Sequence, residues 1–300
     1  MPQKSDKSLT QILSREFIAR LDSLDVLSRK IFQGKLQGER RSKRRGQSVE
    51  FADHRPYAVG DDLRSIDWNT YARLDQLFLK LFMEEQDLTV HVVLDASASM
   101  AEGEPTKDSA VRKLAAALSY VALVNNNRLT MSAFADGLSA QAANLRGRNH
   151  VHRIADFLLS SPPAGETNFE RACKQLEADR VGSGVMIVLS DFFFKEGFEA
   201  GMKRLASPRY DLYAIQILSP QELEPSLTGD VRLIDVEDGD AAEITVTPAL
   251  LKFYKRNLAS YCNDVKDFCT RRGGQYILTN SGESMENLVL NYLRRRGLLK

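Results

Sequence analysis

The sequence predicts an α/β protein with a doubly wound, mostly parallel sheet that carries helices on both faces. Short apolar runs rich in β-branched residues, at 88–94, 185–189 and 212–218, are typical of strands buried on both faces. Amphipathic helical segments alternate with these runs, and the strongest of them spans 106–125. Because strands that alternate with helices favour parallel pairing, the two observations together predict this fold class.

The elements can be placed in chain order. Apolar residues recur near helical spacing from 8 to 32, whereas the polar and aromatic stretch 50–68 follows neither period and is predicted as loop with short turns of helix. The strands are then predicted at 77–84, 88–94, 129–134, 137–143, 185–189, 212–218, 231–236, 244–246 and 275–278, and the helices at 106–125, 151–160, 168–179, 198–205, 248–271 and 284–295. We therefore expect an N-terminal helical and irregular segment, 1–76, packed on an α/β domain, 77–300.

Composition and charge exclude several classes of protein. The chain of 300 residues is 43% hydrophobic and carries a formal net charge of +1, so any electrostatic function must be local. Its three cysteines, Cys173, Cys262 and Cys269, show no CxxC spacing and indicate a reducing compartment. The N-terminus has no signal-peptide pattern and no apolar run is long enough to span a bilayer. We expect a cytoplasmic protein.

Oxygen-bearing side chains follow the predicted core strands. Asp95 ends one strand and is followed by Ser97 and Ser99, Thr167 stands in a Gly-bearing loop before a helix, and Asp191 ends a later strand. Ligands bind at the carboxyl ends of strands in a doubly wound sheet, near its topological switch point. Two carboxylates and three hydroxyls, without Cys or His, form a hard-oxygen set that suits Mg²⁺ or Mn²⁺ over Zn²⁺.

Two other interpretations of these residues stay open. The hydroxyls of Ser97, Ser99 and Thr167 could cap helices. Asp95 could also be the phosphoryl-accepting nucleophile of a metal-dependent phosphohydrolase of the haloacid-dehalogenase kind. Those enzymes place a second Asp two residues later, where this chain has Ser97. We therefore expect no catalysis.

The five residues resemble the metal-ion-dependent adhesion site, or MIDAS, of von Willebrand A domains, whose motif is Asp-x-Ser-x-Ser with a distant Thr and a distant Asp. The resemblance implies a von Willebrand A-like fold. It also implies that Ser97, Ser99 and Thr167 bind the metal directly, while Asp95 and Asp191 hold it largely through water. Such a metal stays electrophilic and accepts a carboxylate from a partner protein, so the resemblance implies a protein-protein interaction site.

A longer string upstream resembles a bacterial and archaeal family, number fifty-eight of the domain-of-unknown-function series. The string contains Glu50-Phe51, Arg55-Pro56-Tyr57, Gly60-Asp61-Asp62-Leu63-Arg64, Ile66-Asp67-Trp68-Asn69 and Ala72-Arg73, and later Asp235-x-Glu237-x-Gly239 and Arg272-Gly273-Gly274-Gln275-Tyr276. Members of that family are typically encoded beside MoxR-type AAA+ ATPases. The resemblance implies an adaptor for such an ATPase, acting in the maturation or assembly of other proteins. Many relatives begin with two transmembrane helices, and from its N-terminal sequence we expect none in this chain.

The same string has two possible roles. Its acids and arginines could pair with one another and pin an irregular segment as a scaffold. It could also be the docking surface for the ATPase, since Trp, Tyr and Arg are favoured interface anchors. The candidate partner-binding residues are Arg55, Tyr57, Asp61, Arg64, Asp67, Trp68 and Arg73.

A basic patch provides the alternative function. Arg40, Arg41, Lys43, Arg44 and Arg45 could bind nucleic acid through phosphate contacts. The sequence shows no nucleic-acid-binding fold motif beside the patch, so we favour the adaptor.

Overall fold

The computed structural model describes residues 9–28, 50–59, 61, 63–83, 88–178 and 182–300. These residues form two compact units, one of 9–28 with 88–300 and one of 50–83. The division differs from the predicted boundary after residue 76 in two ways. Segment 9–28 contributes Leu9, Phe17 and Leu21 to the core of the larger unit. The strand predicted from 77 pairs within the smaller unit instead of starting the main sheet.

The elements in chain order are α1 (Arg15–Leu21), β1 (Glu50–Pro56), α2 (Trp68–Leu74), β2 (Phe78–Met83), β3 (Leu88–Asp95), α3 (Lys107–Val124), β4 (Arg128–Ala135), β5 (Gly137–Arg146), α4 (Val151–Ser160), α5 (Phe169–Ala178), β6 (Ser183–Ser190), α6 (Glu199–Leu205), β7 (Tyr210–Leu218), α7 (Pro220–Leu223), β8 (Gly229–Ile234), β9 (Ala241–Val246), α8 (Pro248–Arg271), β10 (Gln275–Asn280) and α9 (Met285–Asn287). Single 3₁₀ turns lie at Leu63–Ser65, Ala98–Ala101 and Arg148–His150, and a π-helical segment, Leu288–Leu293, follows α9.

The larger unit is built on a six-stranded sheet. Its strand order is β10-β7-β6-β3-β4-β5, and every neighbouring pair is parallel except β4 with β5. Counted within this sheet from β3, the order is 3-2-1-4-5-6, which is that of a doubly wound fold with its switch point between β3 and β6. The predicted fold class is confirmed.

Helices cover both faces of this sheet because its central strands are buried on both. Val90, Val92 and Leu94 of β3 pack in a core with α1, α3 and α4, whereas Val93, between them, packs in a second core with α5, α6 and α8. Successive strand residues point to opposite faces, so one strand serves both cores. Cys262 and Cys269 are buried on α8. Among the described residues, no helix has the length and apolarity that crossing a membrane requires.

The smaller unit contains an antiparallel pair, β1 with β2, and the helix α2. The side chain of Asp67 caps α2 by accepting from the backbone N–H groups of Asn69 and Thr70. The sequence predicted mostly loop here. Strand β1 was missed because a register shift between Phe51 and Asp53 breaks the period of two.

Candidate metal centre

The predicted metal ligands lie in loops at the carboxyl ends of β3 and β6. Asp95 is the last residue of β3, and Asp191 directly follows β6. The loop that carries Thr167 is fastened to the loop after β3 by backbone hydrogen bonds from Ala98 N to Gly165 O (3.0 Å) and from Ala164 N to Ala96 O (2.8 Å). Gly165 has a φ of 78°, which favours glycine at this bend. The fold therefore gathers all three loops at the switch point.

Asp95 is a buried carboxylate with both oxygens engaged. Its Oδ1 accepts from the backbone N–H of Ser97 (2.9 Å) and its Oδ2 accepts from the hydroxyl of Ser190 (2.6 Å). Burial, and secondly the charge of Asp191, raise the pKa of Asp95 to about 7, although the hydrogen bonds oppose this shift. Because the two carboxylates repel each other, a cation bound beside them would stabilise their charged forms.

A chain of hydroxyl groups links the two serines to Asp191. Ser99 Oγ donates to Asp191 Oδ2 (3.4 Å), and Ser97 Oγ lies 3.0 Å from Ser99 Oγ. Either serine can donate in this contact, and each hydroxyl oxygen keeps lone pairs that a cation could use. Adjacent ligands of an octahedral Mg²⁺ with bonds of about 2.0–2.1 Å lie about 3 Å apart. Asp95, Ser97, Ser99 and Asp191 thus form one oxygen cluster.

Thr167 has a different partner. Its hydroxyl donates to Glu237 Oε1 (2.9 Å), and its backbone N–H donates to Glu237 Oε2 (3.1 Å). Glu237 lies between β8 and β9, in the string Asp235-x-Glu237-x-Gly239 that resembles the family, and no metal-binding pattern in the sequence includes it. The structure therefore brings four of the five predicted ligands into direct contact and joins Thr167 to a carboxylate that was not predicted.

Backbone contacts fix the orientation of Asp191. Gln216 Nε2 donates to Asp191 O (2.7 Å), and Phe193 N donates to Asp191 Oδ1 (3.1 Å). The next residue, Phe192, has a φ of 60° and a fully buried ring, and its N–H donates to Ser190 Oγ (2.8 Å). A bulky residue such as phenylalanine keeps this conformation only where its surroundings impose it.

Lys107 and Glu222 are further members of the site that sequence reasoning missed. Lys107 is the first residue of α3 and is only 2% exposed. Its Nζ lies 2.6 Å from Asp191 Oδ2 and 2.6 Å from Glu222 Oε1. Burial alone would lower the pKa of Lys107, but the charges of Asp191 and Glu222 outweigh burial and raise it. The protein thus supplies one positive charge of its own to the site.

The chemistry of the donors fits a hard divalent cation. No group of three or more His, Cys, Asp and Glu side chains that could hold a metal occurs within the described part of the chain. A cation bound here would therefore rely on hydroxyl oxygens beside Asp95 and Asp191, and it would share Asp191 with Lys107. Such a donor set suits Mg²⁺ or Mn²⁺ rather than Zn²⁺.

The upstream signature residues lie in the smaller unit, where some of them hold its structure. Arg55 pairs with Asp61 (2.8 Å), whose carboxylate also accepts from the backbone N–H of Ala58. Asp67 is buried, and besides capping α2 it contacts His54 Nε2 (2.8 Å). Trp68 is 61% exposed. Of the other candidates, Arg64 and Arg73 are exposed and Tyr57 is half-buried. The basic patch from Arg40 to Arg45 lies outside the described residues.

Comparisons with known proteins give a family profile, relatives in sequence and solved structures that are similar to this chain. The profile of a family described as "Protein of unknown function DUF58" matches residues 53–261. Uncharacterized proteins of Mycobacterium tuberculosis and Mycobacterium bovis are each 29% identical over 290 residues, which is 94% of this chain and 90% of theirs. The conserved hypothetical protein BatB from Bacteroides thetaiotaomicron is similar in structure, with a TM-score of 0.44, 15% identity and coverage of 69% of this chain and 98% of that one. An aerotolerance-related membrane protein from Bacteroides fragilis also gives a TM-score of 0.44, with 17% identity and coverage of 69% and 97%.

Proposed function

The chain belongs to the DUF58 family, and we propose that it is a metal-dependent protein-recognition adaptor. The observation that carries the proposal is the oxygen cluster of Asp95, Ser97, Ser99 and Asp191 at the switch point of the sheet. Mg²⁺ or Mn²⁺ would be held there. Such an ion supplies Lewis acidity toward a carboxylate of the partner.

The balance of charge favours recognition. Asp95 is buried and both of its oxygens accept hydrogen bonds from the protein, while Asp191 shares its charge with Lys107. The hydroxyls of Ser97 and Ser99 are neutral. A divalent cation in this set keeps part of its positive charge, and an acidic side chain of another protein is the complementary ligand.

The burial of Asp95 argues against the phosphohydrolase alternative. A phosphoryl-accepting nucleophile needs a carboxylate oxygen that reaches the substrate, whereas Asp95 is 1% exposed. Residue 97, where the haloacid-dehalogenase pattern requires an acid, is a serine bonded to Ser99. Both observations support a site that binds without catalysis.

A MoxR-type AAA+ ATPase is the partner that we propose, and it rests on the family resemblance of the upstream string. Trp68 is exposed, and its ring packs edge-to-face with that of Tyr71, with 6.2 Å between the ring centroids. The two rings provide an aromatic surface in the smaller unit for such a partner. In this proposal the client protein gives its carboxylate to the metal, while the ATPase contacts the smaller unit.

Titration calorimetry with Mg²⁺ and Mn²⁺ tests the metal. We expect binding heat in the wild type and none in Asp95→Ala. Asp136→Ala is the matched control, because Asp136 is an exposed acid beyond the carboxyl end of β4 and outside the oxygen cluster. Equal heats in wild type and Asp95→Ala, or none in either, would contradict the metal site.

A pull-down from native lysate tests the partner. Wild-type protein is used as bait with and without EDTA, and Asp95→Ala is used as bait with Mg²⁺ present. Recovery of a client protein only by wild type with metal supports the proposal. Because EDTA also strips metal from the ATPase, the Asp95→Ala bait separates the two effects. The same proteins recovered in all three arms would overturn metal-dependent recognition.

A further inference from the structure

Glu237 lies at the tip of the hairpin formed by β8 and β9, residues 229–246, and reaches back to the candidate metal centre. Its two carboxylate oxygens accept from the hydroxyl and the backbone N–H of Thr167 at 2.9 and 3.1 Å. Glu237 and Thr167 are 70 residues apart. An acidic side chain from a separate element therefore contacts one of the proposed direct ligands.

The direction of this hydrogen bond leaves Thr167 able to bind a metal. The single hydroxyl proton of Thr167 is donated to Glu237, so toward any other neighbour the hydroxyl oxygen acts only as an acceptor. The oxygens of Thr167 and Glu237 are 2.9 Å apart, close to the spacing of about 3 Å between adjacent ligands of octahedral Mg²⁺. One cation can therefore bind both oxygens without a rearrangement of this contact.

A second contact holds the tip of the hairpin from its other side. Lys195, four residues after Asp191, pairs with Asp235 at 2.8 Å and also with Asp238. These two aspartates flank Glu237 in sequence. The tip is thus attached to the Thr167 loop and to the Asp191 loop, which are two of the loops that form the site.

The rest of the hairpin contributes little to the core. Most residues of β8 and β9 are exposed, and Val246 at its end is the buried exception. Because few apolar contacts would be lost, the hairpin can separate from the site at low cost in free energy.

We propose that Glu237 is a metal ligand supplied by the chain itself, which holds the outward coordination position until a partner's carboxylate displaces it. This inference rests on the proposed metal-dependent function. It identifies the hairpin as the element that a partner must move.

The other role for Glu237 is purely structural, namely to hold the Thr167 loop. Both roles predict a stable contact in the absence of metal, but only a ligand changes the hydration of the ion. The proton relaxation rate of water in the presence of protein-bound Mn²⁺ reports the number of exchangeable water molecules on the metal. We compare the wild type with Glu237→Gln, which is isosteric and uncharged.

Glu243→Gln is the matched control, since it removes the same charge from an exposed position of the same hairpin. We expect Glu237→Gln to gain one exchangeable water and to raise the dissociation constant of Mn²⁺ about tenfold, while Glu243→Gln matches the wild type. An unchanged water count in Glu237→Gln would assign Glu237 to a structural role and overturn the inference.

Hydrogen exchange provides a second measurement. In the wild type and Glu243→Gln, Mg²⁺ should slow amide exchange in residues 229–246, because the metal adds a bond to the hairpin. In Glu237→Gln it should not. Equal slowing in all three proteins would overturn the inference while leaving metal binding intact. Absence of Mn²⁺ binding in the wild type would overturn the proposed function itself, and this inference with it.

Discussion

The ammonium group of Lys107 lies 2.6 Å from Oδ2 of Asp191, the oxygen that also accepts the hydroxyl of Ser99. The site thus contains a positively charged group, the ammonium of Lys107, that belongs to the protein itself. Any divalent ion that binds near Asp191 competes with this ammonium for the same negative charge. The strength of divalent binding is therefore set partly by a residue that is not a ligand.

Replacing this lysine should shift the balance toward the divalent ion. In Lys107→Met we expect tighter Mg²⁺ binding by calorimetry. We also expect a loss of stability without metal on the order of 3–5 kcal/mol by urea denaturation, because Asp191 is left buried without its cation. Lys113→Met, an exposed position of the same helix, is the control. Unchanged Mg²⁺ affinity in Lys107→Met would contradict the competition.

The stability of the metal-free protein should depend on pH through Asp95. Its pKa is raised from 3.8 to about 7 on folding, so its contribution is fully present below about pH 4 and is lost as the pH rises through about 7. We expect the free energy of unfolding to fall across this interval in the wild type and in Asp136→Asn. The fall should be smaller in Asp95→Asn. Equal slopes in all three proteins would assign the dependence to other groups.

The contact between Lys195 and the hairpin should be sensitive to mutation and to acid. Hydrogen bonds from Lys195 lower the pKa of Asp235 and of Asp238. The ion pairs are therefore fully formed at pH values above the ordinary pKa of an aspartate. They are lost as the pH falls through the lowered pKa values of the two carboxylates. We expect Lys195→Met to speed hydrogen exchange in residues 229–246 at neutral pH. Lys203→Met, on the neighbouring helix α6, should match the wild type, and identical exchange in both variants would show that Lys195 does not hold the hairpin.

Mutations of neighbouring residues in the smaller unit should distinguish a structural role from a role in docking the ATPase. Asp67→Ala removes a buried cap and should cost roughly 1 kcal/mol of stability, because the first N–H groups of α2 lose their acceptor. Trp68→Ala and Arg64→Ala change exposed side chains and should leave the melting temperature almost unchanged while weakening ATPase binding. Retained binding in both exposed variants would leave the upstream string with a scaffold role alone.

Most of the sheet could be predicted because its strands carry an unambiguous signal. The runs before Asp95 and Asp191 are mostly apolar and rich in β-branched residues, as burial on both faces favours, and each leads directly to the acid that the site uses. Parallel strands then bring the two acids to one edge. The contacts from Ser97 to Ser99 and from Ser99 to Asp191 follow from this placement.

The remaining members of the site depend on contacts distant in sequence. Glu237 meets Thr167 only because a hairpin folds back, and no local pattern encodes that direction. Lys107 resembles an ordinary helical lysine, yet a cation in the first turn is unfavourable to the helix dipole. That unfavourable placement was the one available signal. The boundary between the two units differs from the one predicted after residue 76. The sequence pattern changes there from irregular to strand-like, but this local change does not show which strands pair with each other.

The conformation of Phe192 bears on the rate at which a metal ion would bind. Its backbone is held at a φ of 60° by a buried ring, by Ser190 and by the hydroxyl of Tyr261, which donates to its carbonyl. Asp191 is therefore already oriented before an ion arrives, and little of the chain has to move. Mg²⁺ loses its water shell reluctantly. The exchange kinetics of the centre would then be governed by dehydration of the ion, so Mn²⁺ and Mg²⁺ would enter at different rates through an identical, stationary loop.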